Sequence, residues 1–278
     1  FTNSSATVPT GASGTGEVED YIVTIAQGTD YGDFSGFGSA VSNVNSTIKL
    51  GTNAPDAEVA ATTNTSANGD DTTGIDDEDG VTQTTLRAGQ SGTITVNVTN
   101  TSGATTYLNG WLDFNKNNLA DAGEQIVTNQ AIATGTSNSN IALSVNVPST
   151  VATGTIPARF RISSVSGAGI TGASGNGEVE DHLITITAPN LDFGDFSGFA
   201  QATSVANTTL RIGTNATDAE AALTGNTSAN VDDTTGTDDE DGVTQTTLRA
   251  GQSGTVTVRV TNTSGANAYL NVWADWNK

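Results

Sequence analysis

Residues 76–104, DDEDGVTQTTLRAGQSGTITVNVTNTSGA, return at 238–266 with 27 of 29 positions unchanged, and the interval from Asp76 to Asp238 sets a period for the chain. Two further strings keep nearly the same interval. DYGDFSGF at 30–37 returns as DFGDFSGF at 192–199, and GEVED at 16–20 returns at 177–181, one residue short of the period. A chain that copies itself at this length folds as a series of similar units, because each copy carries enough residues to bury its own core. The period divides the chain into the end of one repeat at 1–28, a complete repeat at 29–190 and the beginning of another at 191–278.

Inside the complete repeat the hydrophobic pattern alternates. Ile94, Val96 and Val98 are separated by Thr95 and Asn97, and Ile141, Leu143, Val145 and Val147 by small or polar residues. Ile156, Ala158, Phe160 and Ile162 fall on one face of a further segment, with Arg159 and Arg161 on the other. Period-two alternation predicts half-buried strands. Clusters of Gly, Asn, Ser and Thr separate them, and only Asp56 to Ala61 has a short helical pattern. The expected fold is all-β: tandem antiparallel β-sandwich repeats of about 162 residues, each with roughly eight to ten strands.

Charge narrows the function classes. Nine Lys and Arg face 30 Asp and Glu, for a net charge of −21, which repels nucleic-acid backbones and anionic lipid. There is no cysteine, so no disulfide framework or thiolate site is available. No apolar run is long enough to insert in a membrane, and Phe1-Thr2-Asn3 opens no export signal, so any such signal is expected outside this segment. The Thr-, Ser-, Asn- and Gly-rich composition points to an extracellular protein.

All 30 acidic residues lie in recurring motifs. Twelve occupy 70–79 and 232–241, six the two GEVED strings, and four the segments beginning at Asp113 and Asp275. Such crowding needs either water around each carboxylate, as in a solvated acidic loop, or a cation. The spacing that best fits calcium starts at Asp113. Asp113, Asn115, Asn117, Asp121 and Glu124 place oxygens at positions one, three, five, nine and twelve, and Leu119 offers its carbonyl at seven, the order of an EF-hand loop. Asn118 stands at the sixth position, where such a loop uses glycine; asparagine also tolerates positive φ. An Asx-rich turn is the alternative. A second site is expected where Asp76, Asp77 or Asp79 meets Glu178 and Glu180 at one end of the sandwich; in the next copy Asp238, Asp239 and Asp241 correspond to its aspartates, and Asp275 to Asp113 of the first site.

The strings GEVEDY, DDEDGV, DFGDF and WLDFNKNNLADAGEQI resemble the GEVED-domain family of bacterial secreted and surface proteins, whose modules often occur in tandem. The family has an aspartate- and glycine-rich tract after DFN, from which Asn117 and Asn118 depart. The resemblance implies a β-rich module of an adhesin or cell-surface polymer at the bacterial surface.

No catalytic arrangement stands out. The carboxylates are crowded and duplicated rather than paired in an aromatic cleft, and the single histidine, His182, aligns with Tyr21 of the other copy, so no histidine triad belongs to the repeat. The expectation is a non-enzymatic structural or adhesive segment, rigidified by calcium. Its partners are neighbouring repeats, a surface or extracellular polysaccharide, or other copies in a filament. The rival is carbohydrate binding through Tyr107, Asn109, Trp111 and Asp113, which alternation puts on one strand face. Asn-x-Ser/Thr triplets at Asn45, Asn64 and Asn100 are expected by chance in so Asn- and Thr-rich a chain, whereas the Asp-Thr-Thr triplets make Thr72 and Thr234 candidates for O-glycosylation.

Overall fold

A computed structural model describes residues 10–12, 14–24, 27–69, 75–82, 85–220, 222–231, 237–244 and 247–277. Thr72 and Thr234 lie outside these residues. The described chain is all-β, and Asp56–Ala61 forms no helix.

The strands between positions 29 and 187 form two facing sheets. They are β1 (Thr29–Tyr31), β2 (Ala40–Val44), β3 (Ile48–Leu50), β4 (Val81–Thr82), β5 (Leu86–Arg87), β6 (Ser91–Asn100), β7 (Thr106–Leu112), β8 (Gln125–Ile132), β9 (Thr136–Asn146), β10 (Gly154–Ser163) and β11 (Gly172–Thr187). The first sheet runs β1-β2-β11-β10-β7-β8, with β5 also on β11. The second has β6 at its centre, β9 along one side and β3 and β4 end to end on the other. The antiparallel expectation needs one correction. β11 runs parallel to β2 and to β5, so the first sheet is mixed. The long β11 reaches past β10 at both ends, and the overhangs are paired by short strands from elsewhere in the chain. Hydrophobic spacing does not encode that pairing.

The core between the sheets is built by the alternating residues. Ile94, Val96, Val98, Leu143, Val145 and Val147 come from one side, and Leu108, Leu112, Ile156, Ala158, Phe160, Ile162, Ile184 and Ile186 from the other. Full burial of side chains of this size contributes about 1.5–3 kcal/mol each. Gly110 belongs to the same packing, because a β-carbon there would lie 2.7 Å from the Phe160 ring.

β10 is not half-buried. Arg159 and Arg161 are both 0 % exposed, so its polar face is covered as completely as its apolar one. The cover is a third layer made of the connections around 32–39, 62–69 and 164–171. Phe34 bridges to Asn64, and Phe34, Phe37 and Ala67 form a small second core with Ile170 and Leu183. Two-residue alternation reports which side chains share a face. It does not report whether a loop returns to cover that face.

After β11 the chain continues through β12 (Leu191–Phe193), β13 (Thr203–Val205), β14 (Leu210–Ile212), β15 (Val243–Thr244), β16 (Thr257–Val258) and β17 (Val260–Asn262). Their pairings reproduce earlier ones one period on. Leu191 faces Val205 as Thr29 faces Asn43, Leu210 faces Asn262 as Ile48 faces Asn100, and Val243 faces Val258 as Val81 faces Val96. Among the described residues no helix is long and apolar enough to cross a membrane.

Candidate metal centre

The loop after β7 runs from Asp113 to Glu124, the two residues at its ends being 1 % and 4 % exposed. Asp113 accepts hydrogen bonds from the amides of Asn117 (3.1 Å) and Asn118 (2.7 Å). Glu124 closes the loop, accepting from Phe114 (2.9 Å), Asn115 (3.3 Å) and Asp121 (2.9 Å). Asn118 has φ 64°, the left-handed conformation required of the sixth position. The Asp121 carboxylate receives the side-chain amides of Asn115 and Asn117, at 2.8 and 2.7 Å, and these hold its pKa below the usual value. Leu119 is exposed, and its amide donates to Asn117 Oδ1 at 2.9 Å. Carboxylate and amide oxygens are gathered in one short loop, a donor set suited to calcium. In the chain as it stands these oxygens are turned to amide hydrogens, and among the described residues no three acidic or imidazole side chains converge as a ligand group.

The other recurring acids do something that sequence reasoning missed. Five of them in each copy fasten a loop by accepting a backbone N–H. Asp33 takes the amide of Gly69 (2.8 Å), Asp56 that of Ile75 (3.1 Å), Glu58 that of Tyr31 (2.8 Å), Asp77 that of Asp56 (2.8 Å) and Asp79 that of Thr52 (2.9 Å). The same five latches recur one period later. Asp195 takes Val231 (2.8 Å), Asp218 takes Thr237 (3.0 Å), Glu220 takes Phe193 (2.8 Å), Asp239 takes Asp218 (3.1 Å) and Asp241 takes Thr214 (3.0 Å). Loop amides outside a ladder need acceptors, and a carboxylate is a strong one, contributing about 1.5–3 kcal/mol per bond. For these ten residues the bonds account for a fixed motif position, with or without metal. A sequence signal exists: single acids placed at the same point of long Gly-, Asn- and Thr-rich loops in both copies.

Asp76 and Asp238 hold the loop differently, their carbonyls accepting the side-chain amides of Asn53 (2.7 Å) and Asn215 (2.6 Å). Both are exposed, as are Asp79, Asp241 and Asp275. Asp275 accepts a local amide, that of Asn277 (3.1 Å).

The string at 177–181 is the centre of the fold, and each residue has a separate task. Gly177, at φ 152°, lies so close to the neighbouring strand that a β-carbon would collide with the Ile162 carbonyl, 2.8 Å from its carbon. Glu178 accepts the Leu50 amide. Val179 is buried and its amide donates to Asp30 (2.6 Å). Glu180 accepts the Gly80 amide (2.9 Å) and contacts His182 Nε2 (3.0 Å). Asp181 receives Arg159 through two parallel bonds, Nε and Nη2 each at 2.7 Å, and also the Phe34 amide at 2.7 Å. A family model for the GEVED domain matches residues 107–185.

This match supports a likeness to the GEVED-domain family over that span. The matched span runs from β7 through most of β11. No curated protein matches the chain.

DDEDG reaches the GEVED strand through the Gly80 amide on Glu180, but the two strands they enter are not neighbours. β4, entered by Val81, pairs with β6 in the second sheet. Glu178 and Glu180 project towards it from β11, since their cross-strand partners are the core residues Ile162 and Phe160. Burial lifts the pKa of Glu178 and Asp30 well above the carboxylate range, helped by Glu180 beside Glu178 and Glu58 beside Asp30. Burial also raises Glu180, with His182 opposing.

The opposite face of the GEVED strand is held by arginines. Arg159 Nη1 reaches the carbonyls of Gly38 and Ile170, both at 2.7 Å, and the guanidinium lies 5.1 Å from the centre of the Phe37 ring. Arg161 donates to the carbonyls of Gly169 (2.6 Å), Gly172 (2.9 Å) and Val41 (3.0 Å) and to Ser174 Oγ (2.7 Å). Burial, with Arg159 alongside, brings its pKa down to about 10. Trp111, on this face, is 4 % exposed, so its ring offers no surface for a sugar to stack on, and Asn109 is 1 % exposed.

Proposed function

We propose that this chain is a structural segment of a secreted bacterial surface protein, a run of GEVED-type β-sandwich modules each one period long and stiffened by calcium. The observation that carries the reading is the recurrence of the same five carboxylate-to-amide latches in both copies, which suits a part made to be repeated and stiff rather than one made to turn over a substrate. The join between copies supports it. Residues 188–190 alone separate β11 from β12; Arg87 Nη1 holds this linker at the Ala188 carbonyl (2.7 Å), and the second copy rests on the first through Gln90 Nε2 to the Ala206 carbonyl (3.3 Å) and Val205 against Gly89. A short linker held by such contacts limits bending. The partners in this reading are neighbouring modules, with a surface polysaccharide or other copies in a filament as the adhesive target. Carbohydrate binding by the Tyr107–Trp111 face has less support, since Trp111 is covered.

Calcium is the cation of the reading because the 113–124 loop supplies only oxygen donors. Asp113, Asn115, Asn117, Asp121 and Glu124 with the Leu119 carbonyl are the residues that would hold it. Calcium at about a hundredfold excess over Kd adds about 2.7 kcal/mol, a rise in melting temperature of roughly 5–10 °C for a unit of this size. Differential scanning calorimetry of the full chain with calcium and after exhaustive chelation measures it. Asp113→Asn with Glu124→Gln removes that gain while keeping acceptors for the loop amides. A melting temperature and small-angle scattering profile that chelation leaves unmoved would refute the calcium reading and leave the latched modules.

A further inference from the structure

A second set of carboxylates lies inside the sandwich, away from the 113–124 loop. Asp30 on β1, Asp77 ahead of β4, and Glu178 and Glu180 on β11 are 3 %, 4 %, 1 % and 1 % exposed. Each already holds one backbone amide, from Val179, Asp56, Leu50 and Gly80 respectively. Glu178 is left with one oxygen, Oε1, that is buried and has no hydrogen-bond partner. A buried carboxylate oxygen in that state calls for a proton or a cation.

The neighbouring positive groups are already engaged. Arg159 is bound to Asp181 through two bonds, and Arg161 lies among four oxygen acceptors on the other face of β11. His182 Nε2 is taken up by Glu180. The four carboxylates are close enough to raise one another's proton affinity: Glu178 is acted on by Glu180, Asp30 and Asp77, and Asp30 by Asp77 and Glu180. The charge balance of this interior is therefore short of a cation.

We infer that Asp30, Asp77, Glu178 and Glu180 form a buried divalent-cation site, with Glu178 Oε1 as its anchor, in which calcium bridges the two sheets. With their oxygens committed to amides the four do not yet meet at one point, and the cation draws them together. The set differs from the one the DDEDG spacing predicts. Asp76 and Asp79 are exposed and hold the 52–53 loop instead, while Asp30 enters from a distant part of the chain. Calcium suits the site better than magnesium, because ligands drawn from separate segments and partly committed to amides cannot readily meet a strict octahedron. The bridge joins β1 and β11 of one sheet to the entry of β4 in the other.

The inference deepens the calcium reading with a ligand set of its own, so the two can fail separately. Isothermal titration of the chelated full chain with calcium chloride is compared for the parent, Glu178→Gln, and Asp113→Asn with Glu124→Gln. The Glu178→Gln side chain keeps an acceptor for the Leu50 amide. The expected result is loss of one binding equivalent, or at least a tenfold weaker one, in Glu178→Gln, while the loop variant loses a different equivalent. Equal stoichiometry and affinity in parent and Glu178→Gln overturns the buried site and spares the loop reading; no binding by the parent overturns both. If circular dichroism shows Glu178→Gln unfolded, Asp77→Asn, which retains an oxygen for the Asp56 amide, must lose the same equivalent, and its failure to do so overturns the inference.

Discussion

Asp181→Ala lowers the stability of the sandwich by about 3–5 kcal/mol, because it strands a buried guanidinium. Asp181 and Arg159 are both 0 % exposed and joined by two parallel charge-assisted bonds. The substitution also removes the acceptor of the Phe34 amide, which ties the covering layer to β11. For a unit of this size the melting temperature falls by roughly 6–20 °C. Urea unfolding followed by tryptophan fluorescence measures the change. Arg159→Met with Asp181→Leu recovers part of the loss, since it removes both charges. Recovery stays incomplete, because the carbonyls of Gly38 and Ile170 lose their donor. A cost below about 1 kcal/mol for Asp181→Ala, the range of an exposed pair, would show that the pair is solvated and the covering layer is held by its apolar contacts alone.

Gly177→Ala is the second large effect. Its φ of 152° is a conformation that side chains rarely adopt, and a β-carbon would run into the Ile162 carbonyl and lie 3.1 Å from the Ser163 α-carbon. Backbone cannot swing aside as a side-chain tip can. Relief requires β10 and β11 to part where Ser163 pairs with Gly177, the residue at which β11 changes from β2 to β10 as its main partner. The expected cost is at least about 2–3 kcal/mol. Hydrogen exchange of the β10 amides from Arg161 to Ser163 should accelerate more than that of β6, which belongs to the other sheet. Uniform acceleration across both sheets would argue for global destabilisation and against a local clash at this crossing.

Much of the architecture could be read before any coordinates. Alternation at 94–98, 141–147 and 156–162 predicted β6, β9 and β10 and their core-facing residues. Glu178 and Glu180 were correctly separated from Val179 and Asp181 by the same rule, and Asn118 takes the positive φ expected of its place in the loop. What alternation could not reach were the contacts between distant segments. Arg159 and Arg161 read as a solvent face because the residues that bury them, among them Phe34, Phe37 and Ala67, come from far earlier in the chain. Asp30 was recognised as part of a recurring motif but not as a neighbour of Glu178, since the two lie near opposite ends of the repeat.

The acidic residues show where the division falls. Sequence by itself determined that every Asp and Glu occupies a recurring position, that the same strings return at a fixed interval and that the strands alternate, since composition, period and polarity are local properties of a linear string. Only the tertiary structure decided what each acid does. Whether a carboxylate caps a loop amide, as Asp79 does, pairs with a buried arginine, as Asp181 does, or is left with an unpartnered oxygen, as Glu178 is, depends on which distant backbone arrives beside it. That choice follows from chain topology, which periodicity does not record, as the parallel pairing of β11 with β2 and β5 also shows.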